Sequence, residues 1–189
     1  GRTRGDQLVF VRFDKAARGI WTLSVYPDTT ITGNFHVWLP MKGMLPFDVF
    51  FLRPDPDITL TSPSSAQIPI TVGGYQVADK GIYMDSGRGF TVNSVVKPDF
   101  CAPAVHVQGV GTRGNYVTAS GTSVAAAITA GACAQLMEWG IFRQNPLSLN
   151  SVEIGNILIR GCDRNRDTVY PNTSWGFGRL NVYQAFLTV

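Results

Sequence analysis

The chain has 189 residues, of which 44% are hydrophobic and 15% are charged. This composition is enough to bury one full core and a small second one, and it excludes an intrinsically disordered chain. The net charge of +3 is spread along the sequence without a run of Lys or Arg. Nucleic acid is therefore not an expected partner.

The first third of the sequence predicts β structure. Short runs rich in Val, Ile, Phe, Trp and Thr are separated by turn residues, and apolar and polar side chains alternate within them. The candidate strands are residues 7–13, 20–26, 30–39 and 47–52. Such a series of short alternating strands is typical of an antiparallel β-sandwich.

Pro54 and Pro56 interrupt regular structure, and we place the boundary between two domains there, at residues 1–56 and 57–189. After it, residues 68–73 and 105–110 are predicted to be short buried strands. Residues 122–140, 151–160 and 181–187 are predicted to be helices. Strands and helices alternate, so the second part is predicted to be α/β.

The apolar stretch at residues 124–139 is too short and too polar for a bilayer span, and it predicts a buried helix instead. Cys101, Cys133 and Cys162 have no metal-ligand spacing, and three cysteines cannot all pair within one chain. Each is expected to be a small buried hydrophobic residue.

Residues 114–123 lead a serine directly into that Ala-rich helix. Ser123 is predicted at the helix N-terminus, where unpaired backbone N–H groups and the positive end of the helix dipole can stabilise developing negative charge. The alternative is that Ser123 is an ordinary N-cap, the commonest role of a serine at this position.

The segment Gly121-Thr122-Ser123, followed by the Ala-rich helix, resembles the serine motif of the subtilases, the subtilisin-like serine proteases. Residues 97–105 resemble the segment that precedes this motif in the family, and residues 70–74, 88–91 and 176–182 resemble its flanking segments. The resemblance covers roughly residues 57–189. It implies a subtilisin-like α/β core, with Ser123 as nucleophile and its N–H as one oxyanion donor. Ala127 and Ile128 stand where the family usually has proline and histidine.

A weaker resemblance is to the clostridial spore-germination branch of the family, in which a jelly-roll domain is inserted into the protease core. Residues 1–56 are then expected to be the end, or most, of such an all-β insert. This branch also favours an extracytoplasmic or spore-associated location.

The family's other catalytic residues are not identified in this sequence. A serine hydroxyl needs a general base with an orienting carboxylate, and the family places both in segments before the serine motif. His36 and His106 lie outside the family's histidine motif, and Asp85 falls too late to be its aspartate. Asn93 and Asn115 are better explained as turn residues than as the oxyanion amide. We therefore expect this chain to be an inactive C-terminal portion of a protease.

The expected partners are a peptide or protein substrate and the upstream part of the same protease, with no membrane span. Asp55 and Asp57 are candidate calcium ligands because many subtilases bind calcium, although two carboxylates beside prolines also fit a solvated turn. No other cofactor is expected. The rival interpretation is a pseudoprotease, in which the β-sandwich binds a protein or glycan and the protease core is a scaffold.

Overall fold

The computed structural model describes residues 2–3, 6–26, 35–40, 44–45, 49–142 and 149–189. The chain divides into two compact units, Gly1–Phe50 and Phe51–Val189. The predicted domain boundary lies just beyond this division.

The first unit contains one short antiparallel pair, β1 (Arg2–Thr3) with β2 (Asp6–Gln7). The predicted strands at residues 7–13 and 20–26 are not strands beyond Gln7, and the described parts of the strands predicted at 30–39 and 47–52 are irregular too. The apolar side chains described in these segments face solvent: Phe10 is 85% and Ile20 81% exposed. A strand needs a hydrogen-bonded neighbour and a packed face, and beyond Gln7 the described residues provide neither for these segments.

The second unit holds two pairs of strands. β3 (Val72–Tyr75) and β4 (Phe100–Pro103) run parallel, with Val72 opposite Phe100. β5 (Val107–Val110) and β6 (Tyr116–Ala119) form an antiparallel hairpin closed by a 3₁₀ turn at Thr112–Gly114. The predicted strands at 68–73 and 105–110 overlap β3 and β5, whereas β4 and β6 were not expected from the sequence.

Three helices follow, as predicted: α1 (Thr122–Phe142), α2 (Ser151–Arg160) and α3 (Val182–Phe186). Asn150 caps α2 through a capping box with Glu153, in which the two side chains accept three N–H groups, those of Asn150, Val152 and Glu153. Asn181 caps α3 by accepting a hydrogen bond from the Gln184 N–H at 3.0 Å.

The core lies between the parallel strands and the helices. Phe100 of β4 packs in one cluster with Leu136 of α1 and Leu158 of α2, and all three are fully buried. A second cluster joins Ala102 and Ala104 to Ala125, where small side chains let α1 approach β4 closely.

A buried ion pair ties the start of β4 to the segment before β3. Lys97 Nζ donates to Asp99 Oδ2 and to the Pro69 carbonyl, both at 2.7 Å, while the same carboxylate oxygen accepts the Thr71 N–H at 2.6 Å. The Lys97 side chain is only 4% exposed. No buried side-chain nitrogen or oxygen of this pair is left without a hydrogen-bond partner.

Helix α1 packs on β3 and β4 through one face, which carries Ala125, Thr129, Ala132 and Leu136. Its opposite face is exposed; there lie Ala126, Ala127, Ala130, Gly131, Ala134 and Met137. The prediction of a buried helix is therefore wrong for that face, because no described residue covers it. The expectation that this stretch is too short and too polar for a membrane span is wrong by length and composition, since Thr122–Ile141 meets both requirements and is the one helix among the described residues that does; its inner face nevertheless packs in the protein core.

Candidate active site

Two hydrogen bonds fix the chain just before α1. The Gly121 N–H donates to the Ala104 carbonyl at 2.7 Å, and the Ser120 hydroxyl oxygen accepts the His106 N–H at 2.9 Å. Ala104 is itself held by its N–H on the Tyr75 carbonyl at 2.9 Å. The start of the helix is thus attached directly to the carboxyl ends of β3 and β4.

Ser123 is the second residue of α1, and its side chain is exposed. Its hydroxyl forms no hydrogen bond with any residue in the described part of the chain. The first helical turn closes on the Gly121 carbonyl, which accepts the Val124 N–H at 3.0 Å. The N-cap alternative for Ser123 therefore does not hold in this structure, because Gly121 occupies the capping position.

The N–H groups of Thr122 and Ser123 precede the first intrahelical hydrogen bond, and within the described residues neither has an acceptor. They carry the partial positive charge of the helix N-terminus beside the exposed hydroxyl. A carbonyl oxygen placed there would gain stabilisation as it became negatively charged.

Two glycines make room for this arrangement. Gly121 has φ +143°, a conformation that side chains rarely adopt, and an added Cβ would lie 3.2 Å from Ser123 Oγ. An added Cβ on Gly74 would lie 2.6 Å from Ala104 Cβ and 3.4 Å from Thr122 Cγ2. The strand end and the serine turn can approach only because these positions lack side chains.

No general base accompanies Ser123 among the described residues. His106 has a left-handed backbone with φ +52° and an exposed side chain, and its imidazole is not hydrogen-bonded to Ser123. The His36 ring, in the first unit, stacks on Trp38 with 5.4 Å between ring centroids.

The other polar residues weighed from the sequence lie in loops. A hydrogen bond to Asp85 raises the pKa of the Tyr83 phenol. Asn93 is exposed in the turn that follows Thr91, and Asn115 closes the β5–β6 connection by accepting the Gly111 N–H through its main-chain carbonyl at 2.6 Å. These environments agree with the structural roles predicted for them.

Asp55 and Asp57 form a local turn, since an Asp55 carboxylate oxygen accepts the Asp57 N–H at 2.9 Å. Over the described ranges, no three His, Cys, Asp or Glu side chains come together as a metal-binding group. The calcium expectation accordingly gains no geometric support from these two carboxylates.

The three cysteines are free thiols, and Cys101 and Cys162 are buried as predicted, while Cys133 is half-buried. Burial raises the pKa of Cys101 and of Cys162 from 9.0 to about 12. Both thiols are therefore neutral near pH 7 and are packing groups rather than nucleophiles.

Sequence reasoning missed the positioning residues Ser120, Ala104 and Gly74. Ser120 directly precedes the glycine of the motif, and a hydroxyl beside a turn glycine is the one signal that would have pointed to it. Ala104 acts through its backbone, so its side chain carries no such signal.

The Subtilase family model matches residues 33–178, which is most of the chain. The chain therefore belongs to the subtilase family of serine proteases. The match covers the serine motif described above and begins within the segment predicted to be an insert. Serine protease AprX of Bacillus subtilis (strain 168) is 31% identical over 143 residues, which is 65% of this chain and 30% of AprX.

Solved structures agree with this assignment. The CspB protease of Clostridium perfringens superposes with a TM-score of 0.68 and 33% identity over 72% of this chain and 30% of that one. The prenylagaramide maturation protease PagA superposes with a TM-score of 0.57 over 70% of this chain and 46% of PagA, and its 24% identity supports the fold alone. The chain thus spans about 30% of the length of AprX and of CspB.

Proposed function

We propose that Ser123 is the nucleophile of a serine endopeptidase. The observation that carries the proposal is an exposed hydroxyl that has no hydrogen bond to any described residue, beside the N–H groups of Thr122 and Ser123 at the start of α1, which have no acceptor among those residues either. Ser123 Oγ forms a bond to the peptide carbonyl carbon and loses its proton to a base. The base then gives that proton to the amine as the C–N bond breaks, leaving an acyl-enzyme that water hydrolyses.

The base, its orienting carboxylate and the side-chain oxyanion donor are proposed to lie in a part of the protease outside these 189 residues. Two observations support this. No described residue supplies a base to Ser123, and the exposed face of α1 offers small apolar side chains, such as Ala127, Ala130 and Ala134, to a packing partner. The same part of the protease would cover that face and bring the base to the hydroxyl. Alone, the chain is proposed to be inactive.

Residues 1–56 are proposed to be part of a jelly-roll-like insert, as in the spore-germination branch. The support is the row of alternating apolar side chains at residues 20–26, of which Ile20, Trp21, Leu23 and Val25 are each more than half exposed. Side chains of this kind are expected to pack against a second β layer.

The test is peptidase activity of the complete protease with Ser123→Ala, compared with Ser120→Ala as the matched hydroxyl deletion three residues away. Ser123→Ala is expected to lower kcat by at least about a thousandfold. Ser120→Ala removes only the hydrogen bond to the His106 N–H and should lower kcat much less.

Two results would argue against the proposal. Residual activity in Ser123→Ala equal to that of Ser120→Ala would show that Ser123 is not the nucleophile. A complete protein without activity, although folded, would favour the pseudoprotease interpretation.

A further inference from the structure

The second unit has a groove of about 560 Å³ whose lining residues all lie outside the serine segment. Asp79 and Lys80, in the loop after β3, form one part of its lining. The loop between α2 and α3 forms the rest and contributes Arg164, Asn165, Arg166, Thr168, Tyr170, Trp175 and Arg179. No lining residue belongs to α1 or to the turn before it. The volume is within the usual range of about 300–1,000 Å³ for ligand-binding sites.

The groove is strongly basic. Its lining holds four cations, Lys80, Arg164, Arg166 and Arg179, and a single carboxylate, Asp79. The lining thus has an excess of three positive charges, four cations against one carboxylate, while Asp163 and Asp167 flank its arginines in the sequence without lining the groove. An oxygen of the Asp79 carboxylate already accepts the Gly81 N–H at 2.8 Å.

Among the described residues, these cations have no ion-pair partner. In the described part of the chain, the two ion pairs are Arg12 with Asp14 and Lys97 with Asp99, and neither involves the groove. The half-buried Arg179 side chain donates no hydrogen bond to a described residue, and the same is true of Arg166. A half-buried guanidinium carries several donors, and these remain available to a ligand.

The two ends of the basic cluster are held in place. Arg164 donates from Nε to the Phe177 carbonyl and from Nη2 to the Ile159 carbonyl, both at 2.8 Å. The Arg179 backbone forms a bridge with Asp163, with N···O distances of 2.9 and 3.0 Å. A ligand would therefore lose little free energy in ordering the Arg164 side chain, whereas for Arg179 only the backbone is already held.

The aromatic rings of Tyr170 and Trp175 lie among these cations, and Trp175 packs beside Tyr75 with ring centroids 6.0 Å apart. A small inorganic anion would occupy a minor part of 560 Å³ and would leave these rings unused. A peptide fits better, because its carboxylates can pair with the arginines while its main chain can bond to Asn165 and Thr168.

We propose that this groove binds an acidic segment of a polypeptide, with the carboxylates held by Arg166 and Arg179. The proposal does not depend on peptidase activity, because none of the groove residues belongs to the serine segment. Arginine suits this role because its planar group can bind a carboxylate through two parallel hydrogen bonds.

The experiment measures fluorescence anisotropy of a fluorescein-labelled hexaglutamate peptide titrated with the 189-residue chain, with hexaglutamine as the uncharged control. We expect saturable binding of hexaglutamate that weakens as salt is raised, and no binding of hexaglutamine. Arg179→Gln and Arg166→Gln should each raise Kd about tenfold.

Arg160→Gln is the matched control, because Arg160 is an exposed arginine of α2 outside the groove and its loss changes the net charge equally. It should leave Kd within about twofold, and circular dichroism should show all three variants folded. An equal weakening by Arg160→Gln would overturn the proposal, because binding would then follow net charge alone. Absence of hexaglutamate binding would also overturn it, as would complete displacement by equimolar inorganic phosphate, which would identify a small-anion site.

Discussion

At the residue scale, the serine segment is defined by what surrounds the Ser123 hydroxyl. Gly121 occupies the N-cap position, and its carbonyl accepts the first hydrogen bond of the helix. The hydroxyl of Ser123 therefore does not serve as an N-cap, the role that a serine usually has at a helix start. The Ala104 carbonyl and the Ser120 hydroxyl then hold the turn in place. The exposed serine is thus a consequence of backbone geometry rather than of its own contacts.

Gly121→Ala tests this geometry. The alanine must keep the backbone angle φ +143°, and its methyl group lies 3.2 Å from Ser123 Oγ. We therefore expect the free energy of unfolding to fall by about 1–3 kcal/mol. Gly131→Ala in the same helix is the control, because an added Cβ there meets nothing within 4 Å and alanine favours helix by up to about 1 kcal/mol. Urea unfolding of both variants should therefore give changes of opposite sign. Equal changes would contradict the strained turn.

The buried thiol of Cys101 predicts a pH dependence of stability. Its pKa in the folded state is about 12, against 9.0 when exposed, so the folded state keeps a proton that the unfolded state releases. The contribution of the protonated Cys101 thiol to the free energy of unfolding is thus complete below about pH 9 and is lost as the pH rises toward 12.

Urea unfolding at several pH values from 8 to 11 would measure this dependence. In Cys101→Ala the free energy of unfolding should fall less steeply above pH 9 than in the unmodified chain. The two slopes should differ by up to about 1.4 kcal/mol per pH unit. Cys133→Ala is the comparison, because that thiol is only half-buried and should change the slope less. An unchanged slope in Cys101→Ala would show that this thiol is not buried in solution.

At the scale of elements, the helices were predictable and half of the second unit's strands were not. The apolar pattern and the asparagines before α2 and α3 mark those helices in the sequence, because side-chain caps leave a local signal. β4 is a four-residue strand in which Phe100, Cys101 and Ala102 are all buried, so it shows no alternation. β6, Tyr116–Ala119, is exposed throughout and depends on pairing with β5 rather than on its own pattern.

The ion pair of Lys97 and Asp99 is predicted to hold the approaches to β3 and β4 together. Lys97→Met leaves the Asp99 carboxylate partly buried without its ammonium partner, and we expect a loss of about 3 kcal/mol in unfolding free energy. The double variant Lys97→Met/Asp99→Asn removes both charges and should lose less than the single variant. Urea unfolding of both variants and of Asp99→Asn completes a double-mutant cycle, and strict additivity would contradict the coupling.

At the scale of the whole molecule, the family and the position of the serine could be predicted from the sequence, whereas the packing of the first unit could not. The Gly121-Thr122-Ser123 motif is local, so it could be recognised without a structure, and the family match includes it. Alternation at residues 20–26 indicates two differently packed faces, yet it cannot say which residues cover them. The basic groove was also missed, because its cations come from loops distant in sequence.

The central claim is that this chain presents a serine nucleophile without its general base. The most direct measurement is labelling of the 189-residue chain with a fluorophosphonate probe, followed by intact mass, with Ser123→Ala as the control. The account predicts no rapid labelling, because no described residue is hydrogen-bonded to Ser123 Oγ as a general base. Rapid labelling that disappears in Ser123→Ala would contradict it, since a base would then already reach the hydroxyl within these residues.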